Sequence, residues 1–177
     1  MDQGFSSTDI RIRRVLIFCQ VTGVVMANLQ AHPLACVAAL AVQKVIVEED
    51  LLSRAVENGE LMSTLLRQGL QAEGAISKPF CFDIRGRGAF WGIEFDLHVP
   101  EAANMDSKGE SFAMAVQARC FENGLIVMGM TSGANIEGTK GDHIILGPAY
   151  NATREEIEQI VGILVRSVEE VLREWQT

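Results

Sequence analysis

Apolar residues along this chain change their spacing several times, and each change marks a predicted element. Residues 1–10 are polar, whereas residues 11–30 are rich in apolar side chains with neither a helical nor a strand period. From Pro33, a residue suited to a first helical turn, Leu34, Val37, Ala38, Ala41 and Val45 recur on one helical face. Cys36, Leu40 and Val47 widen that face, which predicts a helix buried on more than one side. Leu52, Val56, Gly59, Met62, Leu66 and Leu70 continue at spacings of three and four, so a second helix is expected from about Asp50, in a hairpin with the first.

After Lys78-Pro79 the rhythm shortens. Strands are predicted over 80–83 and 89–96, joined through Arg85-Gly86-Arg87-Gly88, where glycine permits a turn or bulge. The polar stretch 100–109 reads as a loop and 110–122 as a helix that Asn123-Gly124 stops in the left-handed way. A strand over 125–130, a mobile glycine-containing loop over 131–142 and a last strand over 143–146 follow. Thr153-Arg154-Glu155-Glu156 is a capping box, in which hydroxyl and carboxylate satisfy each other's backbone donors. Ile157, Ile160, Val161, Leu164, Val168 and Val171 then lie on one face. The expected fold is α+β, with helices packed on one side of a small, mostly antiparallel sheet.

With 177 residues, one well-buried core is expected. Residues 1–30 are read as an extension with an apolar segment and residues 31–177 as the domain. A net charge of -8 argues against nucleic acid, whose phosphates demand clustered cations. Cys19, Cys36, Cys81 and Cys120 lack the paired spacing of a zinc site and read as small apolar residues of a reduced protein. Arg11, Arg13 and Arg14 ahead of residues 15–27 imitate a signal peptide. That run is short of the roughly 20 residues of a membrane span and is broken by Gln20 and Thr22, so a soluble, cytoplasmic chain is expected.

Four strings in fixed order carry a resemblance: Gln30-Ala31-His32-Pro33-Leu34-Ala35-Cys36 into an Ala-rich helix; Asp83-Ile84-Arg85-Gly86-Arg87-Gly88-Ala89-Phe90-Trp91-Gly92-Ile93-Glu94; Asn123-Gly124-Leu125-Ile126-Val127; and Asp142-His143-Ile144-Ile145-Leu146-Gly147-Pro148-Ala149-Tyr150 before the capped helix. Together they resemble the C-terminal small domain of class III pyridoxal-phosphate-dependent aminotransferases of fold type I, over about residues 23–175. The resemblance implies that the Schiff-base lysine, the acid that pairs with the pyridine nitrogen and the glycine-rich phosphate loop belong to a large domain that precedes this part. The chain is therefore expected to lack that cofactor-binding domain and to hold no cofactor itself, whereas full-length relatives hold pyridoxal phosphate. Its lysines, Lys44, Lys78, Lys108 and Lys140, do not match the family's strand-end context. Asn28 and Leu29 stand where relatives carry a Thr and an aromatic residue, the Thr reaching the cofactor phosphate of the neighbouring subunit. Ile145 stands where acetylornithine-type relatives place a carboxylate-binding Arg.

Candidate catalytic residues are His32, Glu94, His143 and Tyr150. His32 precedes a helix start, where the positive end favours a neutral imidazole suited to a general base, although in relatives the His-Pro unit is mainly structural. Glu94 ends a strand of large apolar residues, a setting that favours the protonated acid; a solvated or Arg-paired carboxylate is the plainer reading. His143 and Tyr150 bracket the last strand. Candidate substrate-binding residues are Asn28, Arg85, Arg87 and Lys140, the arginines as bidentate donors to an anion or as anchors of the hairpin. No metal-ligand cluster has usable spacing.

Three readings of function follow. The first is a truncated class III aminotransferase-like protein without transamination activity of its own. The second is a repurposed, cofactor-free enzyme of isomerase, cyclase or lyase type acting on a small molecule in the former domain-interface pocket. The third is a non-catalytic partner of a longer transaminase chain. In each, the apolar surface implies a homo-oligomer, a dimer first of all.

Overall fold

A computed structural model describes residues 33–107, 109–131 and 141–176. Helix α1 spans Pro33–Glu48 and α2 spans Leu51–Leu70. Strands β1 (Cys81–Arg87) and β2 (Phe90–Phe95) form a hairpin. A 3-10 turn at Pro100–Ala102, helix α3 (Phe112–Glu122), strands β3 (Met128–Met130) and β4 (Asp142–Leu146) and the long helix α4 (Arg154–Trp175) complete the order. The strands make one sheet in the order β1-β2-β4-β3, and every neighbouring pair is antiparallel.

The predicted α+β class and the one-sided helical layer are what the structure has. Strand alternation supplies the reason. Ile84, Trp91, Ile93, Phe95, Ile144 and Leu146 are buried and share one face. Met62, Leu66 and Leu70 of α2, Val116 and Cys120 of α3, and Leu164, Val168 and Leu172 of α4 join them in one core. Phe112 lies edge-on between Phe95, at a centroid distance of 5.0 Å, and Trp175, at 5.4 Å, so the start of α3 and the end of α4 close over the same strand end. The capping box of α4 is formed as predicted: Glu156 N–H donates to the Thr153 hydroxyl at 3.2 Å and Thr153 N–H to the Glu156 carboxylate at 2.8 Å. Gly124 has the positive φ of 86° that the helix stop required.

Both sheet edges are sealed by helix side chains. Along β1, Arg67 Nη2 donates to the Ile84 carbonyl at 2.7 Å and Gln71 Nε2 to the Cys81 carbonyl at 3.4 Å. Along β3, the Gly129 N–H donates to Gln117 Oε1 at 2.7 Å. Exposed strand edges recruit further strands, and these bonds occupy groups that would do so.

Three predictions need correction. First, Arg85-Gly86-Arg87 is not the turn: β1 runs through it, and the chain reverses at Gly88-Ala89, where Gly88 has φ 56°. Gly86 is glycine for another reason, because a Cβ there would lie 2.4 Å from the Phe90 carbonyl oxygen and 2.5 Å from the Trp91 ring. Second, the strand predicted over 125–130 is confined to three residues, Met128–Met130. Third, α1 is not buried. No residue of it is, and its principal neighbour among the described residues is α2. The loop predicted over 131–142 falls almost wholly on residues 132–140, outside the described residues.

Candidate functional site

The hairpin and β4 bring four of the predicted site residues, Arg85, Arg87, Glu94 and His143, onto one face of the sheet, the face opposite the core. Asp83, Glu94, His143 and Met130 form one cross-strand row, and Arg85, Gly92, Ile145 and Met128 form the next. Alternation places them there: Ile84, Ile93 and Ile144 point into the core, so their neighbours point out.

Arg85 links the rows. Its Nη1 donates to Asp83 Oδ2 at 2.9 Å and to Glu94 Oε2 at 2.6 Å, within reach because residues 83 and 85 are two apart on one strand and Glu94 faces them from the next. The Asp83 carboxylate foremost, then that of Glu94, pushes the Arg85 pKa further up. The Glu94 side chain is only 16% exposed, and of the two plain alternatives for it, solvated or Arg-paired, the structure has the second. A ligand anion would have to displace one of these carboxylates to reach Arg85 Nη1.

His143 stands directly across from Glu94. Its Nδ1 lies 2.7 Å from the Gly141 carbonyl oxygen, an atom that only accepts, so Nδ1 carries a proton and a neutral ring keeps the Nε2 lone pair for another partner. Arg87 lies across from the exposed Phe90 at the hairpin end and makes no ion pair among the described residues. Tyr150 is exposed in the turn after β4, outside the ladder that holds Glu94 and His143. His32, Asn28 and Lys140 lie outside the described residues. Asp83 completes the cluster and was not among the predicted site residues; its signal was the alternation Asp83, Arg85 on a strand mistaken for a turn.

The cysteines contribute no reactive thiolate in the core. Burial pushes the Cys81 and Cys120 thiols up to about 11, while Cys36 is exposed on α1. Among the described residues no three His, Cys, Asp or Glu side chains are grouped to hold a metal ion, and no helix is long and apolar enough to cross a membrane. On the helical layer a groove of about 420 Å³ runs between α2 and α4, floored by Leu65, Gly69, Val161, Gly162 and Val165.

The two described lysines, Lys44 and Lys78, do not have the surroundings of a Schiff-base lysine. Such a lysine needs a desolvated amine whose pKa has fallen, whereas Lys44 is 72% exposed and ion-paired to Glu48, and Lys78 is exposed and ion-paired to Glu73. Lys108 and Lys140 are not described.

Among the described residues, α1 is uncovered along its length. Leu34, Val37, Leu40, Val42, Val45 and Val47, with Leu52 and Val56 on the adjoining end of α2, are between 43% and 78% exposed. Fully burying such a side chain contributes about 1.5–3 kcal/mol at about 25 cal/mol per Å², hence roughly 60–120 Å² each. The eight together offer on the order of 300–600 Å² of apolar surface, the upper range of what monomers leave open.

The Aminotransferase class-III family model matches residues 14–168. An uncharacterized aminotransferase of Schizosaccharomyces pombe is 39% identical over 142 residues, covering 78% of this chain and 28% of that protein. An aminotransferase of Gibberella zeae is 34% identical over 139 residues, covering 78% of this chain and 26% of that protein. The crystal structure of a Bacillus anthracis aminotransferase superimposes with a TM-score of 0.61 at 27% identity, over 78% of this chain and 28% of that one. The chain thus spans little more than a quarter of the length of these relatives. On the match to most of its length, the chain belongs to the class III aminotransferase family of pyridoxal-phosphate-dependent enzymes.

Proposed function

We propose that these 177 residues form the small domain of a class III aminotransferase fold and do not transaminate by themselves. The observation that carries this reading is the state of the described lysines: both are exposed and ion-paired to a carboxylate, and neither lies in the desolvated setting that makes an amine nucleophilic at neutral pH. Pyridoxal phosphate supplies an electron sink when a protein anchors it, and the anchoring groups of relatives are expected in the sequence this chain does not cover. The small domain's own part is to present the charged face of its sheet and to hold α1 ready for burial.

The test is to add pyridoxal phosphate and an amine donor to the protein and follow the imine absorbance band, with borohydride trapping and peptide mapping. Neither a trapped lysine nor amino transfer is expected. A band abolished by replacing Lys108 or Lys140 would refute the reading, since those two side chains are the untested amines.

A second reading, cofactor-free acid/base chemistry on the open face of the sheet, is favoured by one observation. The Gly141 carbonyl fixes the His143 tautomer with Nε2 as the acceptor nitrogen, on the strand position directly across from Glu94. Small amines and carboxylic acids that raise the melting temperature should lose that effect in His143→Gln. Effects that persist in this variant count against the reading.

A further inference from the structure

We propose that Met128, Met130 and His143, on the open face of the sheet, form a site for a soft monovalent metal ion of the copper(I) or silver(I) kind, held by two thioether sulfurs and one imidazole nitrogen. Met128-Gly129-Met130 is the whole of β3, and alternation along a strand sends its first and third residues to the same side. The glycine between them fixes which side that is. A Cβ on Gly129 would lie 2.5 Å from the Ala113 carbonyl oxygen, so α3 fills that side of the strand, and the Gly129 N–H is tied to Gln117 Oε1 at 2.7 Å. Gly129 also stands across from the buried Ile144, so both methionines are turned away from the core, and both are exposed. Met130 is directly across from His143, which places Met128 on the diagonal. Opposed pairs have Cβ atoms about 4.5–5.5 Å apart and diagonal neighbours lie about 7–8 Å apart, within reach of a long side chain with three rotatable bonds.

The imidazole has the support that a metal-binding histidine needs. Such a histidine donates its other ring N–H to a carbonyl or carboxylate, which fixes the tautomer and the ring orientation. His143 does so, with Nδ1 2.7 Å from the Gly141 carbonyl oxygen and Nε2 as the acceptor nitrogen. The donor set selects the ion. Thioethers are soft ligands that favour copper(I), whereas magnesium, calcium and manganese favour carboxylate, carbonyl and water oxygens. Zinc takes thiolate, imidazole and carboxylate, and among the described residues no three such groups are gathered. Glu94, across from His143, is engaged by Arg85 at 2.6 Å, so the three donors are all neutral and suit a singly charged ion. Asp83 and Glu94 set two carboxylates against the one guanidinium of Arg85, which leaves the neighbouring positions net negative and attractive to a cation. The site shares His143 with the acid/base reading, and the methionine signals separate the two.

Silver(I), which keeps its oxidation state, is the first probe, added as the nitrate to the full chain in chloride-free buffer. In nuclear magnetic resonance spectra of protein with isotope-labelled methionine methyls, the Met128 and Met130 signals should shift, while those of the buried Met62 and of Met114 on α3 should not. This readout needs no variant beyond those that assign the signals. Copper(I), kept reduced with ascorbate and competed against bicinchoninate, should show the same residue dependence. Met130→Leu and His143→Gln should each weaken binding by at least about 10-fold, the lower end of the loss when even a supporting group at a metal site is removed. Met114→Leu should leave it unchanged, and leucine keeps the volume of methionine, so circular dichroism should match the wild type. Binding should persist in the Cys19→Ser, Cys36→Ser double variant, which retains only the buried thiols of Cys81 and Cys120. Silver that shifts neither methyl, binding lost with those two cysteines, binding indifferent to Met130→Leu, or zinc(II) held as tightly as silver at the same methyls would each overturn the proposal.

Discussion

Replacing Gly59 by Ala and, separately, Gly162 by Ala should change stability in opposite directions, although each is the same substitution inside a helix. Both gain helix propensity, worth up to about 1 kcal/mol. At Gly162 a Cβ meets no atom within 4 Å, so that gain stands alone and α4 is stabilised. At Gly59 the Cβ would lie 2.2 Å from the Gly88 carbonyl oxygen and 2.8 Å from its carbon. Those are backbone atoms, so relief requires α2 and the β1–β2 turn to separate by about 1 Å. That turn also accepts the Trp91 Nε1–H bond at 2.8 Å. Overpacking costs about 1–3 kcal/mol, with the upper end suited to a backbone collision, which leaves a net loss of about 2 kcal/mol for Gly59→Ala. For a domain of this size the expected shifts are about 4–8 °C downward for Gly59→Ala and about 2–4 °C upward for Gly162→Ala. Thermal unfolding followed by circular dichroism measures both. Shifts of the same sign would refute the claim that helix α2 is seated against the hairpin turn through Gly59.

Other outcomes follow from individual bonds. Thr153→Ala removes the hydroxyl half of the capping box and should cost about 1 kcal/mol in urea unfolding, while Thr153→Ser should restore most of it. Glu170 is held below the ordinary carboxylate range foremost by the Asn123 amide, which donates at 3.0 Å, and then by Arg119. A depressed folded-state pKa stabilises at neutral pH and loses that contribution as pH falls through the folded value. Asn123→Ala should therefore move the acid-unfolding midpoint to higher pH, and an unchanged midpoint would remove Glu170 from the acid transition. Cys81 and Cys120 should resist maleimide at pH 8 in the folded protein and react in urea, as peptide mass spectrometry would show; rapid labelling of either would contradict their burial.

Local patterns were legible because their causes are local. The spacing of Ile157, Val161, Leu164 and Val168, the Thr153 capping box and the Asn123-Gly124 stop each act within a few residues, and the corresponding helices have the predicted limits to within a few residues. The site was legible only in part. Arg85, Glu94 and His143 were singled out by residue type, but their meeting depends on β2 lying between β1 and β4, and a single strand's pattern does not specify its neighbours. The error at Arg85-Gly86-Arg87 has the same origin. Glycine is compatible with a turn or with a strand crossed closely by a large ring, and only the position of Trp91 decides between them.

By itself, the sequence determined where the helices would run, the apolar face of the last helix with its cap, and the family to which four ordered strings point. The tertiary structure decided the sheet order, the pairing of Arg85 with two carboxylates, and the sealing of the sheet edges by Arg67, Gln71 and Gln117. It also left α1 uncovered, because hydrophobicity demands removal from water without naming the surface that achieves it.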